Sequence, residues 1–201
     1  GFWSMVFGFP TPILFALILN EVRANAVKKL YQTISYLPYF LSLVVICSIF
    51  RELFSVSNGL INRVITATGG QAINFLIRPE WYRFIYILSG VWAGLGSGAI
   101  VYLAALAGVD QQLYEAARID GCTRVKMIWY ITLPSILPTI VTMFLLNCGN
   151  IMRIGPDKAL LLYNSMTYEV ADIFSTYVYR IGLVKKNFSF ATAVGLFESV
   201  I

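Results

Sequence analysis

Apolar positions in this chain run in long unbroken blocks, not in alternation and not as a narrow stripe. Residues 84–109 and 127–152 contain no Asp, Glu, Lys or Arg. Each block is longer than the ~20 residues that carry a helix across a bilayer. Shorter apolar blocks lie at 2–19 and 34–50, and another begins near Phe188. The pattern predicts an all-α membrane protein, a polytopic helical bundle in one transmembrane domain over 1–201. Its spans are expected at about 2–19, 34–50, 84–109, 128–152 and 188–201 onward. The chain opens on Gly1 and stops inside an apolar block. We therefore expect a fragment whose neighbouring spans lie outside it.

The polar stretches between the blocks have their own pattern. Glu21 to Gln32 reads as a short basic connector. In the polar stretch Ser55 to Arg83, Leu60, Ile61, Val64 and Ile65 share one face, predicting a short helix on the membrane surface. Trp81 and Tyr82, beside Pro79 and Arg83, suit an interfacial anchor. In the polar segment Arg153 to Asn187, Val170, Ile173, Phe174, Tyr177 and Ile181 predict one amphipathic helix. The charged island between the two longest blocks is itself helical in pattern, at about 111–121. Asp110 is placed to cap its start. Leu113, Ala116, Ala117 and Asp120 fall on one face. Gly121 can end the helix in a left-handed conformation, and Thr123 can cap the next one.

Composition narrows the class. Of 201 residues, 58% are apolar and 12% charged, which excludes both an ordinary soluble domain and a disordered one. The net charge of +5 suits anionic headgroups better than nucleic acid, because no basic run interleaved with aromatics occurs outside the interfacial loops. Three cysteines without CxxC spacing offer neither a disulfide framework nor a metal site, and histidine is absent. No catalytic constellation stands out. The stretch Gly94-Leu95-Gly96-Ser97-Gly98 lacks the Lys and Ser/Thr of a phosphate loop. Gly90 and Gly94 have the small-residue spacing that lets membrane helices approach closely.

The island also carries a resemblance. Glu115-Ala116-Ala117, Gly121, Ile131 and Leu133-Pro134 match the EAA loop of ABC importer permeases position for position. The flanking text, including SGVWAGLGSGAIVYLAALAGVD, resembles the branch that imports complex oligosaccharides, of the maltose-permease type. The likeness extends from FGFPTPILFALILNEVR to FSFATAVGLFESVI. It implies a type I permease fold in the bacterial inner (cytoplasmic) membrane, crossing it several times. It also implies that 111–121 is a cytoplasmic coupling helix, with Glu115, Ala116, Ala117, Asp120, Gly121, Leu133 and Pro134 serving the contact with an ATPase. The implied partners are a second permease subunit in a heterodimer, two ATPase subunits and an extracellular substrate-binding protein. The chain itself would hold no cofactor; ATP and Mg would belong to the ATPase. The charges favour this orientation only weakly, and the resemblance decides it.

A sugar pathway needs polar or aromatic groups facing a cavity inside the membrane. Asn147 and Asn150 on one block and Trp92, Ser97 and Tyr102 on another are the candidates. Bonding between helices accounts equally well for the two asparagines, and packing for Trp92 and Tyr102. Arg153, Lys158, Lys185 and Lys186 on the outer side would suit an acidic oligosaccharide; ordinary interfacial charge explains them as well. A permease of the same fold for another solute, or a membrane protein that transports nothing, are the other readings.

Overall fold

In a computed structural model, the structure describes residues 1–22, 24–150 and 155–200, with backbone only at 150 and 198–200. Arg153 lies outside the described residues. Among the described residues thirteen α-helices follow in order: α1 (Phe2–Gly8), α2 (Pro10–Glu21), α3 (Asn25–Tyr36), α4 (Leu43–Leu53), α5 (Leu60–Ala67), α6 (Pro79–Ala107) and α7 (Gln111–Ile119). After these come α8 (Arg124–Met127), α9 (Leu133–Asn150), α10 (Pro156–Leu162), α11 (Tyr168–Ala171), α12 (Phe174–Tyr179) and α13 (Phe188–Val200). No strand occurs among the described residues. Three helical stretches there are long and apolar enough to cross a membrane: Phe2–Glu21, Pro79–Ala107 and Arg124–Gly149.

The apolar block expected to span at 34–50 is instead broken. A 3-10 turn at Leu37–Phe40 holds Pro38, and α4 starts afresh after Ser42. The cause is local. Proline has no N–H for the helix ladder, and its ring crowds the carbonyl of the preceding turn. Ser42 then accepts a bond from Val45 N at 3.3 Å, which starts a new helix. The expected connector 21–32 is largely helical, since α3 covers its second half. The single amphipathic helix expected at 170–181 is also broken. Thr176 Oγ1 accepts from Ile173 N at 2.9 Å and donates to Asp172 Oδ1 at 2.7 Å, restarting the helix after Ala171.

The residues group into two compact units, each with its own apolar cluster. One comprises Leu41–Gly90 and Met152–Ile201, with Gly1; the other comprises Phe2–Phe40 and Val91–Ile151. In the first, Cys47, Tyr82, Leu162 and Ala171 form a buried cluster against Tyr86 and Tyr163. Trp81, expected as an interfacial anchor, packs edge-on against Phe75 at 4.9 Å. Asn62 is 2% exposed, yet it is well bonded: Nδ2 donates to Ser55 O and Ile73 O, and Oδ1 accepts from Ile73 N. It ties the loop after α5 to the helix, while Leu60 and Val64 stay exposed.

In the second unit the core is Ile13, Ala16, Leu17, Ala99, Tyr102, Leu106, Val109 and Ile136. Small residues set how closely its helices pack. A Cβ on Gly96 would lie 2.2 Å from the Ser35 carbonyl oxygen, which is backbone and cannot swing away. We expect Gly96→Ala to cost about 1–3 kcal/mol as an overpacked contact. The measurement is a lowered melting temperature of the purified subunit, with Gly94→Ala as control, because nothing lies within 4 Å of a Cβ there.

Candidate functional site

The site grows from the second unit. The Asp110 carboxylate accepts from Gln112 N at 2.9 Å and starts α7. At the other end the N–H of Cys122 reaches Ala117 O and that of Gly121 reaches Arg118 O, at 2.9 and 3.1 Å. Gly121 has φ +74. These are the two bonds of a Schellman cap, which requires a left-handed residue at this point. Thr123 then precedes α8 in an extended conformation, without a capping bond from its side chain.

The face predicted for α7 is divided. Successive residues on a helix differ by about 100°. Ala117 turns inward beside Tyr114 and is 8% exposed, whereas Leu113, Glu115, Ala116, Asp120 and Gly121 are exposed. Ile119 and Val125 are exposed as well. Two carboxylates, a bare alanine and three large apolar side chains are thus exposed around a tight turn.

Behind that surface α7 is tied to the following span. The Tyr114 hydroxyl lies 3.0 Å from Thr132 Oγ1, and Thr132 is 1% exposed. Thr132 also donates to Met127 O at 3.3 Å. Residues Ile128–Thr132 form a π turn, in which Leu133 N bonds Ile128 O. Pro134 explains it: without an N–H, and with its ring against the preceding carbonyls, it opens the turn on its N-terminal side. Leu133 packs on the core, while Pro134 is exposed. Arg124 pairs loosely with Glu21 at 4.0 Å, an exposed contact of small value. Between them lies a polar cleft of about 220 Å3, bordered by Asn20, Gln111, Tyr114 and Arg118.

The pathway candidates are more scattered. Tyr102 is buried in the core, 3% exposed. Ser97 donates to Gly94 O on its own helix at 3.3 Å, and Asn147 Nδ2 donates to Met143 O at 2.8 Å, also within its helix. Trp92 is exposed. The side chain of Asn150 lies outside the described residues. Sequence reasoning missed the Tyr114–Thr132 tie and the π turn; of the two, only the π turn had a signal, in Pro134.

A family profile described as "Binding-protein-dependent transport system inner membrane component" matches residues 8–155. The chain belongs to this family. It is a membrane-embedded chain of the permease kind, and the matched region contains α7 and its cap. Among relatives of this permease is the polygalacturonan/rhamnogalacturonan transport system permease protein YteP of Bacillus subtilis (strain 168). It is 47% identical over 193 residues, which is 96% of this chain and 60% of that relative. The chain thus spans less than two thirds of the length of that curated relative. The fold agrees with a crystal structure of a bacterial ABC transporter involved in the import of the acidic polysaccharide alginate. The TM-score there is 0.93 at 44% identity, covering 98% of this chain and 69% of that one. A second structure, of a bacterial alginate ABC transporter in complex with an alginate pentasaccharide-bound periplasmic protein, matches at the same TM-score and identity.

Proposed function

We propose that this chain is the transmembrane subunit of an ATP-driven importer for oligosaccharides in the bacterial inner membrane, crossing it several times. It forms half of the translocation pathway beside a second permease subunit. Of two ATPase subunits, which use ATP and Mg, one docks on the surface made by Glu115, Ala116, Asp120 and Gly121, and the other on the second permease. An extracellular binding protein delivers the sugar from the other side. The observation that carries this reading is α7: a capped helix with a free outer face, bonded through Tyr114 to Thr132 at the start of a span. A push on that face reaches α9 through a hydrogen bond and the core packing of Tyr114, Ile128 and Leu133. Switching between inward-open and outward-open states requires that ATP and the loaded binding protein favour different states. Trp92, Ser97, Asn147 and Asn150 are the proposed pathway residues, while Tyr102 is buried in the core.

The experiment is uptake by the full-length subunit, reconstituted in liposomes with its partner permease, ATPase and binding protein. ATP-dependent accumulation of a labelled oligosaccharide, competed by other oligosaccharides and not by amino acids or peptides, supports the reading. Accumulation of a non-sugar solute alone would replace it with another permease of the same fold.

A further inference from the structure

Lys158 is a half-buried cation with no carboxylate partner among the described residues. The ion pairs among the described residues are Arg124–Glu21 and Arg180–Asp172, so no carboxylate among them lies within 4.0 Å of Lys158. Its ammonium is half-buried instead against α6. Nζ donates to Tyr86 O at 2.6 Å and lies 4.3 Å from the Tyr86 ring centroid. Gly90 makes the room: a Cβ there would lie 2.8 Å from Nζ. The carbonyl and the ring hold the cation but do not neutralise it, and an ammonium has three donors. A second polar group in this cluster is also unmatched. The Tyr82 hydroxyl is buried without a hydrogen-bond partner.

The depth of this cation matters. Tyr86 and Gly90 sit roughly 10–17 Å from the Pro79 end of a helix about 43 Å long, at 1.5 Å per residue. A hydrocarbon layer about 30 Å thick centred on that helix would enclose the amine. A lone charge at membrane depth is costly unless it lines a watered path or meets a counter-ion.

We infer that Lys158, held by Tyr86 and Gly90, binds the carboxylate of a uronic-acid unit in the transported oligosaccharide and gives the importer its preference for acidic sugars. This rests on the import reading above. A carboxylate supplies the missing counter-charge and accepts the donors that Tyr86 leaves free. A neutral sugar would leave the cation uncompensated.

The test uses the complete importer in phosphatidylcholine liposomes. The probes are trigalacturonate and trimannuronate, each beside its carboxyl-reduced neutral analogue. Lys158→Met should cut uptake of the uronates at least tenfold, the loss expected of one charged hydrogen bond. Lys158→Arg should keep uptake within about threefold of wild type, because it retains the charge. ATP hydrolysis stimulated by the loaded binding protein should stay within about twofold in both variants, since the coupling surface is untouched. Wild-type uronate uptake in Lys158→Met overturns the inference. So does a parallel loss of uptake, stimulated hydrolysis and melting temperature, which would make Lys158 a strap between α10 and α6. A defect that depends on added phosphatidylglycerol would assign the lysine to a lipid headgroup and overturn it too. Wild type carrying only the neutral analogues overturns the inference while leaving the import reading intact. Wild type carrying none of the four probes defeats the import reading, and the inference with it.

Discussion

Glu115→Lys should abolish capture of the ATPase subunit by the full-length permease. Glu115 is exposed on α7 and makes no ion pair among the described residues, so its carboxylate is free for a basic group on a partner. An ion pair at 4 Å is worth about 1–4 kcal/mol between bulk water and a protein surface. Reversal turns that attraction into repulsion, and about 3 kcal/mol corresponds to roughly 100-fold weaker capture. The folded chain should not notice: the side chain packs on nothing, so the melting temperature should stay within about 1 °C of wild type. Pull-down with tagged wild type and variant reads the outcome. Equal recovery of the ATPase from both would mean that α7 is not the docking surface. A basic residue on the ATPase that restores capture when replaced by glutamate would identify the partner group directly.

Gly121→Val should separate ATP hydrolysis from transport. The left-handed turn at φ +74 costs a residue with a Cβ about 1–2 kcal/mol, and a β-branched one more. Nothing lies within 4 Å of the position a Cβ would occupy, so the penalty is backbone strain and not collision. The strain falls on the two bonds that close α7 and fix the path into α8. With them loosened, the ATPase should still dock and hydrolyse, while uptake falls about tenfold or more. Losses should follow the order Val, Ala, Asn, because asparagine tolerates the left-handed region best after glycine. Wild-type uptake in the valine variant would refute the role given to this turn. An asparagine variant as defective as valine would place the requirement in size at the partner interface, away from the backbone.

Much of this organisation was legible in residues. Long charge-free blocks located α6 and α9, because membrane helices must be apolar along their whole length. Asp110 and Gly121 marked both ends of α7 by their capping chemistry. What could not be read depends on pairings between distant positions. Tyr114 and Thr132 meet because a π turn brings the threonine round, and no spacing rule encodes that. Lys158 was visible only as one of several basic residues on a polar stretch; its place beside Tyr86 and Gly90 follows from how α10 packs on α6. The break near Ser42 had a local cue in Pro38, but an apolar block hides a change of direction. For the pathway, spacing nominated side chains without saying which face of a helix meets solvent. That is why Tyr102, apolar over most of its surface, lies in the core.

The π turn at Ile128–Thr132 has a consequence for how α9 could be driven. It contains one residue more than an α-helix would use, so every side chain beyond Leu133 stands about 100° out of phase with α8. Such a surplus can migrate along a helix while both ends stay anchored. Each residue it passes then trades one face for another, as the slip of a vernier by a single division alters a reading without moving the scale. In α9, which runs to Asn150, a stroke of one residue would be enough to carry Asn147 from one face of the helix to another.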